Sequence, residues 1–307
     1  TFAVSGISTG IYGIKGRDYI GVFPLKGVVM NVMDKKNDVI AKNKELCNII
    51  QILNLRIGLD YRDDDNFNTL NYGHVVLICD ADYDGLHITG LLINFFYHLF
   101  PTLLQREKSF LLYMRTPIIR MTLKKNILNF YNLQDFNRYI ATNNIDVVKG
   151  SIKYYKGLGT IRSSEVKELF GTKMIEFISD STINETMHKV FDKNNANERK
   201  KWIQSFDPKK NVESISKDPI QYLNISDFLN NEMIYFSISD NHRSIPSIVD
   251  GLKVSQRKIL YGAFHKKLYK ECKVAQLSGY IAEKTNYHNG EMSLNDTIIK
   301  MAQDFIG

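Results

Sequence analysis

Residues 77–85 read LICDADYDG, which sets Asp80, Asp82 and Asp84 at alternate positions behind an apolar run. Carboxylates that close repel one another and raise each other's pKa unless a cation or a basic group sits among them. A strand ahead of them fixes the direction of the chain, so acids at alternate positions past its end can face one space. Oxygen-only ligands favour Mg2+, Mn2+ or Ca2+ over softer metals. Asp80, Asp82 and Asp84 are therefore the candidate metal ligands. The same letters open an EF-hand loop, with Gly85 in its sixth place. That loop needs a helix in front and a Glu in the twelfth place, where this chain has a strand and Leu91, so the EF-hand is excluded. A purely structural use is also open, with the acids capping a helix that starts near His87.

Other motifs carry less. Asp60, Asp63, Asp64 and Asp65 lack a strand before them and a helix behind, and read as a solvated loop. The glycines at 6, 10, 13 and 16 match neither G-x-x-x-x-G-K-[ST] nor G-x-G-x-x-G, so they read as turns, and no nucleotide-binding loop is visible.

The elements that must position these residues follow from the hydrophobic pattern. Tyr19–Phe23 and Val75–Cys79 read as strands; Ile88, Leu91, Leu92, Phe95, Phe96 and Leu99 recur at helical spacing, and that helix should stop near Pro101. Alternation of strands and helices over residues 1–115 indicates an α/β domain. Residues 116–230 are mixed and Asn/Lys-rich and read as an α+β connecting region. From 231 to 307, GLKVSQRKILYGAFHKKL and MSLNDTIIKMAQDFI read as helices joined by short loops, in the manner of a small helix-turn-helix or winged-helix domain.

Composition agrees with two or three globular domains: 307 residues, 44% hydrophobic and 24% charged, with a formal net charge of +7. The charge is uneven. Residues 243–284 hold nine Lys or Arg (243, 253, 257, 258, 266, 267, 270, 273, 284) against three acids (250, 271, 283), a local field suited to a polyanion. Three cysteines, Cys47, Cys79 and Cys272, give no CxxC spacing, which points to a reducing compartment and away from zinc. No apolar run approaches the roughly 20 residues of a membrane span, so no membrane partner is expected. An opening on Thr1 and a close just behind a helical pattern suggest an excised segment.

Taken together, GRDYIGVFPLKG, the D-x-D-x-D-G turn, YYKGLGT, RSIPSIVDGLKVSQRKILY, KVAQLSGY and YHNGEMSLNDTIIKMAQDFIG resemble the type IIA DNA topoisomerases, in that family's order and over essentially the whole chain. The eukaryotic and large-DNA-virus enzymes resemble it most. The resemblance implies an α/β TOPRIM domain, with a Rossmann-like sheet flanked by helices, over 1–115. A connecting α+β region over 116–230 and a mostly helical winged-helix domain over 231–307 would follow. It implies an ATP-dependent enzyme, active as a homodimer, that transiently cleaves and reseals both strands of duplex DNA. Mg2+ would be the cofactor, with Mn2+ or Ca2+ as substitutes, and ATP would be used by the full-length protein without being bound by this segment. The compartment would be nuclear for a cellular eukaryotic source, or a viral factory or virion for a viral one.

Residue by residue, the resemblance makes Asp80 and Asp82 Mg2+ ligands and Asp84 the third acid of the motif. The family's further ligand, a Glu in E-G-D-S-A, would lie before Thr1. Asn31, Arg199, Lys200, Lys253 and Tyr287 match DNA contacts; Arg257 and Lys258 belong to the same basic helix. Arg243 and His288 match groups that approach the scissile phosphate. Two departures stand out: Val28 occupies a place where the family has lysine, and Asn289 replaces the second histidine of Y-H-H-G. Asn can still donate a hydrogen bond but cannot be charged. The family's nucleophilic tyrosine would fall beyond Gly307. NRYIAT at Arg138–Tyr139 imitates its motif but lies upstream of YYKGLGT, out of order, so Tyr139 is expected to be structural. Two rivals remain at this point: a TOPRIM-containing nucleic-acid-binding module, and a nuclease or primase built on the same acidic turn.

Overall fold

The structure, a computed structural model, describes residues 16, 18–123, 126–143, 152–207, 220–287 and 289–303. Val75–Ile78 forms β1 and runs parallel to β2 (Leu111–Met114), Val75 opposite Leu111 and Ile78 opposite Met114. All four residues of β2 are buried, as a central strand covered on both faces requires. The crossover between the two strands is the helix Tyr83–Leu99, which buries Leu91, Leu92, Phe95, Phe96 and Leu99. It ends where Pro101, with no N–H to donate, cannot extend the ladder. A 3-10 turn over Pro101–Gln105 follows.

Strands β3 (Ile119–Leu123), β4 (Asn126–Phe130) and β5 (Ile152–Tyr154) make a separate antiparallel sheet in the order β4-β3-β5. The helix Leu133–Asn143 covers it through Phe136, which meets Phe130 edge to face at 5.3 Å. The chain then returns to the first sheet. β6 (Met174–Ile178) pairs antiparallel with β2, and β7 (Ile220–Asn224) pairs parallel with β6, giving the order β1-β2-β6-β7. That sheet takes two strands from before residue 115 and two from after 116, and residues up to Phe236 form one compact unit.

Residues from Ser237 form a second unit. The helices Val254–His265, Val274–Thr285 and Glu291–Met301 pack around Ile259, Leu277, Ile281, Leu294 and Ile298. Gly262 lets two of them approach closely: a Cβ there would stand 2.6 Å from Ile281 Cγ1. Among the described residues this unit contains helices and no strand. The molecule is thus a mixed α/β unit with a sheet containing parallel pairs, and a helical unit.

Three local expectations are corrected. Tyr19–Phe23 forms no strand. The chain turns at Gly16, whose carbonyl accepts from the Tyr19 and Ile20 amides, and Ile20 then packs its side chain against Leu112, Met114, Phe170 and Met174 without entering a ladder. The helix behind the acidic turn begins at Tyr83 rather than near His87, because Asp82 caps it. In the acidic run, Asp63, Asp64 and Asp65 are exposed and Asp60 is half-buried, and the segment is built rather than a plain loop: Asp63 caps a short helix, Asp64–Phe67, while Asp60 pairs with Arg62 at 2.5 Å and Asp64 with Arg106 at 2.8 Å. Gly6, Gly10 and Gly13 lie outside the described residues.

Candidate metal centre and nucleic-acid surface

The acidic turn sits where β1 passes into the Tyr83–Leu99 helix. Asp82 is extended (φ −113°, ψ 175°) and its Oδ1 accepts from the Gly85 amide at 2.8 Å, a capping bond that satisfies a helix N–H otherwise left unpaired. Asp80 is exposed, and its Oδ1 accepts from the Leu158 amide at 2.7 Å. Asp84 lies in the first turn of the helix, half-buried. Gly85 is required here: a Cβ would stand 2.1 Å from the Asp80 carbonyl oxygen.

Beneath the turn, burial pushes the Cys79 thiol up to about 11, and the negative charges of Asp80 and Asp82 push the same way. The thiol stays protonated and inert while the turn above it carries negative potential. Among the described residues no three His, Cys, Asp or Glu side chains converge into a ready metal cluster. Asp80 and Asp82 are nevertheless chemically suited to a hard cation. Each is an exposed carboxylate whose Oδ1 accepts a backbone hydrogen bond, and a carboxylate offers about four acceptor sites.

Behind the turn, Tyr83 stacks on Tyr235 at 5.7 Å and His87 on Phe236 at 3.8 Å, both with rings 10° from parallel. Asn31 is a half-buried bracket. Its Nδ2 donates to the Phe191 carbonyl at 2.7 Å, and its Oδ1 accepts from Met33 N at 3.0 Å and from Asn94 Nδ2 at 2.8 Å. Arg199 reaches back to the carbonyls of Lys189 and Asp192 at the end of the helix Ile183–Phe191, which suits a cation at a helix C-terminus. Lys200 beside it is exposed. Tyr139 packs against Phe130 with ring centroids 5.4 Å apart, on the helix that covers the small sheet.

In the helical unit, Arg243 ends the helix Ile234–Ser244 with Nε 3.2 Å from Asp240 Oδ1. Lys253 is exposed at the head of the next helix. One turn on, Arg257 forms a bidentate pair with Asp250. Lys258 Nζ lies 3.5 Å from the Asn286 carbonyl and 5.9 Å from the centre of the Tyr287 ring, so these two candidate contacts share one surface. Asn289 is exposed; His288 lies outside the described residues.

Two family models match the chain: the C-terminal associated domain of TOPRIM over residues 114–241, and the A subunit of DNA gyrase/topoisomerase IV over 243–307. DNA topoisomerase 2 of Invertebrate iridescent virus 6 is 40% identical across 100% of this chain and 28% of its own length. DNA topoisomerase 2-alpha of Rattus norvegicus is 42% identical across 100% of the chain and 20% of its own. The crystal structure of the Plasmodium falciparum topoisomerase II DNA-binding, cleavage and re-ligation domain superimposes with a TM-score of 0.81. It is 40% identical, over 100% of this chain and 40% of that one. Over its whole length the chain is similar to eukaryotic and viral DNA topoisomerase 2. It spans less than a third of the curated relatives named here, and it aligns with the cleavage core of the Plasmodium enzyme.

One residue pair at this site escapes sequence reasoning. Gly157 and Leu158 meet Asp80 across 78 positions of chain. YYKGLGT stands out as a motif, and its paired glycines around one leucine are the available signal. Nothing local says which acid such a loop approaches.

Proposed function

We propose that this chain is the central part of the cleavage core of an ATP-dependent type II DNA topoisomerase, one that transiently cuts and reseals both strands of duplex DNA as a homodimer. The observation that carries the reading is the match over the whole chain, at 40% identity and a TM-score of 0.81, to a topoisomerase II DNA-binding, cleavage and re-ligation domain. On this reading residues 1–115 supply the TOPRIM domain and 231–307 the winged-helix domain, joined by 116–230.

Cutting DNA without releasing its ends requires the phosphodiester to be exchanged for a protein ester, a nucleophilic step. Asp80 and Asp82, with Asp84 as third acid, would hold Mg2+, which when bound supplies positive charge to phosphate oxygens. Both acids are fixed by backbone N–H groups, so their direction is set before any cation arrives. Arg243 and His288 would add hydrogen bonds and positive charge where charge builds on the scissile group. Lys253, Arg257, Lys258, Lys200 and Arg199 would grip the duplex backbone, and Tyr287 would lie beside Lys258 on that surface. Asn31 would contribute a phosphate contact only through the amide hydrogen its three internal hydrogen bonds leave over.

Replacing the matching segment of the iridescent-virus enzyme by residues 1–307 tests the reading. The chimera, incubated with supercoiled plasmid and Mg2+ and then denatured with detergent, should leave linear DNA bound to protein. Asp80→Asn with Asp82→Asn should remove the adduct while leaving duplex binding intact. A folded, DNA-binding chimera that never forms the adduct counts against the proposal.

A further inference from the structure

The geometry points to Gly157 and Leu158 as positioning residues for Asp80, through a preformed loop that aims one carboxylate of the metal turn; this rests on Asp80 being a divalent-cation ligand. The loop is closed on itself. Thr160 donates to the Gly157 carbonyl from its amide at 3.0 Å and from its hydroxyl at 2.7 Å, and the Ile161 amide donates to the Leu158 carbonyl at 3.1 Å. Its far end is anchored by Glu165. That buried carboxylate accepts from the Arg162 amide at 2.9 Å and from Lys153 Nζ at 2.7 Å on the same Oε2, tying the strand before the loop to the helix after it. Leu158 is therefore held with its N–H directed outward, and Asp80 Oδ1 receives it at 2.7 Å.

Gly157 completes the arrangement by having no side chain. A Cβ there would stand 3.0 Å from Cγ, Oδ1 and Oδ2 of Asp80 alike. Its φ of −178° is extended backbone that any residue adopts, so conformational freedom is not why a glycine stands there. Space for the Asp80 carboxylate is. Gly159, two residues on, has nothing within 4 Å of the place a Cβ would occupy. The two glycines of KGLGT are thereby separated: one is needed by Asp80 and the other is not.

Outer-shell partners that orient a metal ligand cost about 10–100-fold in metal affinity when disturbed. Gly157→Ala should therefore weaken Mg2+ binding by about that factor in calorimetry, with the melting temperature unchanged. Gly159→Ala should bind Mg2+ like the wild type. In an Asp80→Asn background Gly157→Ala should add nothing further. The Leu158 amide resonance should shift on Mg2+ titration of the wild type and not of Asp80→Asn. Equal affinity in the wild type and Gly157→Ala, or equal losses in Gly157→Ala and Gly159→Ala, would overturn the inference. Absent Mg2+ binding by the wild type, or full binding by Asp80→Asn, would instead defeat the metal reading beneath it.

Discussion

Arg257 closes both arms of its guanidinium on Asp250, Nε 2.9 Å from Oδ2 and Nη2 2.8 Å from Oδ1. Asp250 is in turn held by the Leu252 amide, and that bond together with the Arg257 pair keeps its carboxyl below the usual range. Arg257 is thus already matched by an acid, as are Arg243 by Asp240 and Lys284 by Glu283 among the nine cations of residues 243–284, whereas Lys253, near Arg257 in the chain, is exposed with no carboxylate among the described residues bonded to it.

Duplex affinity should follow that difference. Lys253→Ala should flatten the dependence of log K on log salt by about 0.9, the value of one phosphate contact. Arg257→Ala should change the slope by less, and Asp250→Asn, which releases Arg257, should tighten binding. Fluorescence anisotropy across a salt series reads all three. A larger slope change for Arg257→Ala than for Lys253→Ala would show that the pair opens on DNA.

Asp180 should confer a pH-dependent part of the stability. Partial burial pulls its pKa upward, but hydrogen bonds from Thr182 and Ser226 outweigh burial and hold it below the usual carboxylate range. Those bonds come from the Thr182 amide and hydroxyl at 2.9 and 2.6 Å, and from the Ser226 amide and hydroxyl at 3.1 and 2.8 Å. A folded pKa below the unfolded one gives stabilisation that is complete above the unfolded value, about 4, and is lost as pH falls through the folded value. Asp180→Ala should cost about 1–3 kcal/mol at pH 7 in urea unfolding. The gap from wild type should narrow below about pH 4; a constant gap on further acidification would refute the assignment.

Tyr139 should behave as a packing residue. Tyr139→Phe keeps the ring against Phe130 and should change stability by no more than about 0.5 kcal/mol. Tyr139→Ala removes half-buried ring surface and should cost about 1.5–3 kcal/mol. Loss of a covalent DNA adduct in Tyr139→Phe would reassign the residue as a nucleophile.

The close helix crossing at Gly262 predicts a penalty for a single methyl group. Gly262→Ala gains about 1 kcal/mol of helix propensity but sets a Cβ 2.6 Å from Ile281 Cγ1. Overpacking of that kind costs about 1–3 kcal/mol, so the net effect should be destabilising. Thermal unfolding followed by far-UV circular dichroism checks it, and a raised midpoint would mean that the two helices separate at no cost.

Much of this protein is local, and the local part is legible in the chain. The helix Tyr83–Leu99 follows from apolar residues at 3.6-residue spacing and from Pro101. β1 follows from a short apolar run, and the helices Val254–His265 and Glu291–Met301 of the second unit fall within the two segments that read as helical. The acids at 80, 82 and 84 are visible as a chemical group because their spacing is itself sequence. What tertiary structure decided is where non-local partners stand. Tyr19–Phe23 has strand composition but finds no ladder, since strand formation depends on a neighbour's N–H and C=O groups as well as on its own side chains. Asn31 and Arg199 carry the residue types of phosphate ligands, yet their hydrogen bonds to Phe191, Asn94, Lys189 and Asp192 tie segments together inside the first unit. Composition counts Arg257 as a free cation, and only the fold sets Asp250 against both arms of its guanidinium. Asp80 shows the division most clearly: its charge and its neighbours at 82 and 84 belong to the sequence, while its direction is fixed by an amide 78 residues away, which only the folded chain brings within 2.7 Å.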